Sequence, residues 1–376
     1  MGLFLIILLC VFLFLFILEQ FAKKRERNIK NKGLQKYLIL KEQRIGKKRV
    51  ICTNTKYIAY PCVKGSVMEN KKVVFRTDKD GFIEPGIMYE KADLNIAFVG
   101  DSTTECAIVD PDLRYPYLTA KLLQKEKNIT VNSYNAGISR ASSVDMLTTV
   151  VYKLLAVKPG VIVWCTNITD VILLLNYTDW PDIIHSQAQK TFCTETDFSQ
   201  SIAERAKFII RILVPNLYDM LYEFRKKAER HTPIKKDSGA GLRKLDHEDI
   251  ERIKEQISLN LRLFIEICRS YHIVPVISTL AIHWSKGGNY KAREIEIFRI
   301  LEKEVHIPLE EFIALVGDVN QMIREYCRRE HILLADLDVA IPKGERYIYD
   351  FAHYTDEGSQ KVAQCFFSVI NSALQF

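Results

Sequence analysis

The feature that most restricts this chain is a rhythm that begins near residue 93. Short apolar runs alternate with longer stretches of helical period. The runs are NIAFVG (95–100), ITVNSY (129–134), GVIVWC (160–165), HIVPVIST (272–279) and HILLAD (331–336). Runs of this length, bounded by turn residues, read as strands. Helical stretches between them read as crossovers, so the pattern predicts a parallel sheet with helices on its faces. Helices are expected at about 114–126, 141–157, 247–270, 309–329 and 357–373. In the last of these Val362, Phe366 and Ile370 recur every four residues, with Ala363 and Phe367 widening the stripe. Asp356 and Glu357 fall in its first turn, where the helix dipole favours acids. Residues 177–246 break the rhythm, being far longer than a crossover requires. They include FIIRILVPNLYDMLYEF, apolar and aromatic at helical spacing around Pro215. The expectation is a helical insertion packed on the domain; a cap over a cleft and a surface resting on a bilayer are the alternatives.

The start of the chain is of another kind. From Gly2 to Leu18 no residue is charged, and almost all are Leu, Ile, Phe or Val. Extended through Ala22, a helix of this length just crosses a hydrocarbon core. No basic segment precedes the run and no small-x-small cleavage site precedes Lys23, so residues 1–22 read as an uncleaved single-pass anchor rather than a signal peptide. Charge is distributed to match. The net +7 arises because residues 1–49 hold twelve Lys/Arg against three Glu, a local +9, leaving 41 basic and 43 acidic residues, or −2, in the remainder. Excess charge confined to residues 23–49 fits anionic lipid headgroups and not nucleic acid. The positive-inside rule would keep the rest of the chain cytoplasmic. Nine scattered cysteines without a CxxC read as buried free thiols, with a Cys52–Cys62 disulfide open if that segment is exported. Residues 23–92 form a basic juxtamembrane segment and extension, and a separate α/β domain is expected over 93–376.

The first predicted strand ends in Gly100-Asp101-Ser102-Thr103-Thr104-Glu105. Ser102 and Glu105 have the spacing of a capping box. The same serine also sits at the carboxyl edge of a parallel sheet, where open α/β folds place their chemistry. A serine nucleophile needs a base and a group to orient that base. Near the end of the chain, YDFAHYTDEGSQKVA supplies His353 three residues after Asp350, just before a helix start. In isolation such a pair is most simply an exposed loop histidine beside a solvated acid.

The pair is not isolated. GDSTTE, YNAGIS, CTNITD and DFAH occur in this order, each at a strand end or before a helix. The set resembles the SGNH (GDSL-like) hydrolase superfamily over about residues 95–376, the insertion apart. With the upstream DGFIEP it is similar to membrane-anchored members linked to cell-envelope polysaccharides. The resemblance implies a three-layer, flavodoxin-like α/β sandwich with a five-stranded parallel sheet. It implies Ser102 as nucleophile, His353 and Asp350 as its partners, and an oxyanion hole from the N–H groups of Ser102 and Gly137. The family's third block commonly reads Gly-x-Asn-Asp. Here it is Asn167-Ile168-Thr169-Asp170, so Thr169 stands where an asparagine donor is expected and Asn167 is the alternative donor. The implied activity is that of a serine esterase acting on O-acyl or O-acetyl groups of an envelope glycan or lipid, with the domain on the extracytoplasmic side. An O-acyltransferase on the same machinery, and a weakened domain that binds such a ligand or scaffolds an assembly, are the rivals. No P-loop, G-x-G-x-x-G, G-x-S-x-G or zinc-spaced Cys/His cluster occurs, so neither cofactor nor metal is expected.

Overall fold

A computed structural model describes residues 42–45, 48–51, 53–61, 66–86, 89–185 and 242–374, together with Gln20. The chain divides into two compact units, Met1–Gln43 with Phe192–Gly241, and Arg44–Thr191 with Leu242–Phe376. Almost all described residues belong to the second. The anchor expected at 1–22, the juxtamembrane stretch 23–41, residues 186–241 of the expected insertion, and both Cys52 and Cys62 lie outside the described residues. Among the described residues no helix is long and apolar enough to cross a membrane.

In chain order, β1 (Glu42–Ile45) pairs with β2 (Lys48–Ile51), and β3 (Lys56–Ala59) pairs antiparallel with β4 (Val73–Arg76). Then follow β5 (Leu94–Gly100), α1 (Ser102–Glu105), α2 (Tyr115–Lys127), β6 (Val131–Gly137), α3 (Ser143–Thr149) and β7 (Val161–Trp164). Next are α4 (Ile168–Asn176), α5 (Trp180–His185), α6 (His247–Ser270), β8 (Val274–Ser278), α7 (Ala292–Val305) and α8 (Leu309–Glu330). The chain closes with β9 (Leu333–Ala335), α9 (Leu337–Ala340) and α10 (Asp356–Ala373).

The five strands predicted from the apolar runs form one parallel sheet in the order β6-β5-β7-β8-β9. Chain order therefore reverses at β5, with β6 on one side and β7 on the other, the switch point at which doubly wound sheets open a crevice. Strand side chains alternate between two cores. Ile96 and Phe98 pack with Val131, Val163 and Phe366 under α2 and α10, whereas Ala97 and Val99 pack with Ile162, Trp164 and Phe264 under α3, α4, α6 and α8. Burial on both faces explains why β7 and most of β5 are apolar, and each large side chain contributes roughly 1.5–3 kcal/mol by leaving water. Val362, Phe366 and Ile370 of α10 are buried, in keeping with the predicted stripe. Its N-cap is Thr355, whose hydroxyl accepts from Gly358 N–H at 3.1 Å.

Boundaries differ where tertiary contacts override local pattern. β6 extends three residues past the predicted end because its polar side chains are satisfied inside. Ser133 Oγ donates to Pro116 O at 2.8 Å and Asn135 Nδ2 to Thr104 O at 2.9 Å. The predicted strand starts at His272 and His331 are instead left-handed residues, each at φ 55°, that close α6 and α8. The helix expected at 141–157 is α3 up to Thr149, then a wider turn over 150–154 beginning at the β-branched pair Val150-Val151, and a tight turn over 155–157. The 23–92 extension is in contact with the 93–376 domain. Ala59, Phe75 and Ile83 form a third apolar cluster with Ile108, Ile138, Ala141 and Tyr349. That cluster lays the β3–β4 hairpin on loops at the carboxyl edge of the sheet.

Candidate active site

Three loops converge at that edge. The first runs from β5 into α1, whose close seat on the strand ends depends on two glycines. A Cβ on Gly100 would lie 2.0 Å from Thr104 Oγ1, and one on Gly137 would lie 2.3 Å from Glu105 N. The N-cap of α1 is Asp101 and not Ser102. Asp101 Oδ1 accepts from both the N–H and the hydroxyl of Thr103, each at 2.9 Å, and Glu105 N–H donates to Asp101 O at 3.0 Å. The cap expected at Ser102 thus falls one residue earlier, as a simple N-cap. The aspartate takes the capping task, and the serine becomes the first helical residue with its hydroxyl unspent.

That hydroxyl meets the loop before α10. Ser102 Oγ lies 2.7 Å from His353 Nε2, and His353 Nδ1 lies 2.8 Å from Asp350 Oδ2. A carboxylate accepts only, so Nδ1 carries the hydrogen and Nε2 is left to accept from the serine. Asp350 is wholly buried, and its Oδ1 accepts from the N–H groups of Ala352 and His353 at 3.0 and 2.8 Å. Those bonds curl the three-residue link and aim acid and imidazole at each other. The Tyr349 ring stacks on His353 at 5.8 Å between centroids, and Phe351 meets it edge-on at 5.4 Å. Burial works against the imidazolium, but the charge and hydrogen bond of Asp350, with lesser contributions from Asp101 and Glu105, outweigh it. The pKa of His353 is held above the usual histidine value.

The expected oxyanion donors fare differently. No acceptor among the described residues takes the N–H of Ser102, which opens the first turn of α1. Gly137 N–H donates to the side chain of Asn135, Oδ1, at 3.0 Å. The N–H expected in the oxyanion hole is thus engaged within the chain, and the missing side chain of Gly137 admits α1. Asn167 is buried as the N-cap of α4. Its Oδ1 accepts from Asp170 N–H at 2.8 Å and its Nδ2 points to Met146 Sδ at 3.0 Å. Thr169 is half-buried and donates its one hydroxyl hydrogen to Asp101 Oδ2 at 2.9 Å. The Thr169 hydroxyl is thus already engaged, whereas Asn167 Nδ2 keeps a second hydrogen that the contact with Met146 does not use. Thr169 instead braces α4 against α1 through Asp101, a buried acid whose pKa is raised first by its burial. Asp101 was not singled out from sequence, although a short acid one residue before a helix is a capping signal. Asn167-x-x-Asp170 carried a similar signal.

Beneath these loops lies a buried polar layer. Asp170 Oδ1 accepts from Ser143 N–H at 2.8 Å, and Asn260 Nδ2 reaches Ser143 Oγ at 2.6 Å. Burial pushes the Asp170 carboxyl up to about 7 despite the Ser143 bonds. A cavity of about 470 Å³ lies elsewhere, against the β4 hairpin and Pro111; none of Ser102, Asp350 and His353 lines it. Among the described residues no group of three or more His, Cys, Asp or Glu side chains is placed to hold a metal. Cys106, Cys165, Cys268, Cys327 and Cys365 are free thiols.

No family model and no curated protein matches the chain. Solved structures that align with it include an acetylxylan esterase from Geobacillus stearothermophilus, at 13% identity and a TM-score of 0.41, covering 75% of this chain and 96% of that one. Another is a protein from Desulfitobacterium hafniense described as lipolytic and of the G-D-S-L family, at 12% identity and a TM-score of 0.38, covering 74% and 99%. A third, from Bacteroides fragilis and described as an acylhydrolase, aligns at 12% identity and a TM-score of 0.40, covering 76% and 90%. Similarity at this level says nothing of activity or substrate.

Proposed function

We propose that the chain is a serine esterase of the SGNH type. The observation that carries this reading is the continuous chain from Ser102 Oγ to His353 Nε2 at 2.7 Å and from His353 Nδ1 to the buried Asp350 at 2.8 Å. In the reaction, Ser102 Oγ attacks an ester carbonyl while His353 Nε2 takes its proton. Asp350 holds the tautomer and stabilises the imidazolium. The oxyanion forms beside the Ser102 N–H at the start of α1. His353 then returns the proton to the leaving alcohol, and the acyl group stays on Ser102 until water, activated in the same way, releases it. A sugar hydroxyl in place of that water makes the same site an O-acyltransferase.

We assign the substrate to the O-acyl esters of an envelope glycan or lipid, with residues 1–22 as the anchor, residues 23–49 on anionic headgroups, and the catalytic unit outside the cytoplasm. What supports the anchor is the uncharged run Gly2–Leu18 followed by the local +9; the outward placement rests on the resemblance to envelope-polysaccharide enzymes and runs against the positive-inside rule. A weakened domain that binds such an ester is the second reading. It is favoured by the engagement of Gly137 N–H with Asn135 and of the Thr169 hydroxyl with Asp101. Hydrolysis of p-nitrophenyl acetate by the wild type, and its loss in His353→Ala, separates the two. Turnover equal in both proteins would remove the esterase reading.

A further inference from the structure

His283 lies in the loop between β8 and α7 and is almost wholly buried, yet the chemistry described so far does not use it. Its contacts go to the loop that carries the acid and the base. His283 Nδ1 lies 2.8 Å from Ile348 O, two residues before Asp350. The main-chain N–H of His283 donates to Phe351 O at 3.1 Å, and its carbonyl accepts from Gly344 N–H at 3.1 Å. One residue therefore holds the 344–353 loop at three points, at positions 344, 348 and 351. A carbonyl oxygen only accepts, so Nδ1 must carry a hydrogen. The other ring nitrogen, Nε2, faces Glu294 Oε1 at 3.1 Å. Glu294 is held in turn, since its Oε2 accepts from Lys291 N–H at 2.8 Å at the start of α7. The ring thus bridges a well-anchored helix start and a carbonyl next to the triad acid.

We propose that His283 is a positioning residue for the Ser102–His353–Asp350 chain, acting through the hydrogen bond from Nδ1 to Ile348 O. This rests on the esterase reading for its kinetic consequence, but not for its structural one. Asp350 reaches His353 only while residues 348–353 keep their curl. The Ile348 bond is a side-chain anchor of that curl from outside the loop. Phe351 and Gly344 are held by main-chain bonds that any residue but proline can make at position 283, so of the three points the identity of the side chain matters only at Ile348.

Two substitutions divide the ring's functions. In His283→Asn the amide nitrogen occupies the place of Nδ1 and can still donate to Ile348 O, while the link to Glu294 is lost. In His283→Gln the longer amide reaches toward Glu294 and leaves Ile348 O without its donor. A merely structural histidine would lose one buried hydrogen bond in either case and would treat the two alike. The measurement is made on the full-length chain by proton NMR and by ester kinetics. The downfield resonance of the His353 Nδ1–H bonded to Asp350 is identified by its absence from His353→Ala. The expected result is that His283→Asn keeps this resonance, whereas His283→Gln shifts or loses it. In the same proteins kcat should fall by roughly 10–100-fold in the Gln variant, with KM little changed, and by less than about threefold in the Asn variant. Equal behaviour of the two variants, no effect in either, or a wild type without the resonance would overturn the proposal. If the wild type shows the resonance but hydrolyses no ester, the esterase reading fails while the NMR comparison still decides the role of His283.

Discussion

Replacing Asp170 by Asn should abolish a specific fall in stability with pH. Asp170 is buried beside Ser143, and its carboxyl titrates at about 7 in the folded chain against an ordinary value of 3.8. Between those values the folded protein keeps a proton that the unfolded chain releases. Stability from this group is therefore complete below pH 3.8, declines as pH rises, and is lost once pH passes about 7. At roughly 1.4 kcal/mol per pH unit the whole decline comes to about 4 kcal/mol. Asparagine has no proton to lose, and its carbonyl oxygen can still accept from Ser143 N–H. The variant should gain on the wild type by several kcal/mol between pH 4 and pH 8, most of it between 5 and 7. Urea unfolding followed by the fluorescence of the buried Trp164 and Trp284 reads this difference at each pH. A stability difference that stays constant across the range would refute the assignment of a neutral, buried Asp170.

Because the Asp350 charge holds His353 above its ordinary pKa, kcat/KM should drop as pH falls through a value above 6.5. In Asp350→Asn that acid limb should move down, and the rate at neutral pH should fall by about 10⁴; a pH–rate profile of both proteins checks this. Thr169→Val removes the hydroxyl that braces Asp101, which should cost about 1–3 kcal/mol in denaturant unfolding and lower kcat. A rise in kcat on Thr169→Asn would show instead that this side chain is a deficient oxyanion donor. Full-length protein should remain in the membrane fraction after alkaline carbonate washing, while a chain begun at Arg44 should not.

The sheet was legible because its central strands β5 and β7 are buried on both faces and stay largely apolar in sequence, while the polar residues of β6 blurred only its end. The β3–β4 hairpin was not, since strands of four residues with alternating exposure, as in Val73–Arg76, carry too short a pattern to stand out. Helix α4 was hidden for the opposite reason: Val171, Ile172, Leu173, Leu174 and Leu175 give no amphipathic stripe directly after a strand. In the site, Asp350 and His353 were readable only through the ordered motif set and the resemblance it carries, because their spacing alone fits a loop histidine beside a solvated acid equally well. The donors were not readable in the same way. Whether Gly137, Asn167 and Thr169 offer a hydrogen to a substrate depends on which neighbour claims it, and Asn135, Met146 and Asp101 were settled by packing. Asn135 reaches Gly137 along β6, while Asp101 meets Thr169 across 68 residues of chain.

The account turns on Ser102 being a nucleophile that His353 activates, and covalent labelling tests this without knowledge of the substrate. The wild type, Ser102→Ala and His353→Ala are each treated with a fluorophosphonate, digested and mapped by mass spectrometry. The account predicts one phosphonylated peptide, modified at Ser102, in the wild type, no label in Ser102→Ala, and labelling slowed by roughly three orders of magnitude or more in His353→Ala. A wild type that does not label, or that labels equally fast without His353, would contradict it.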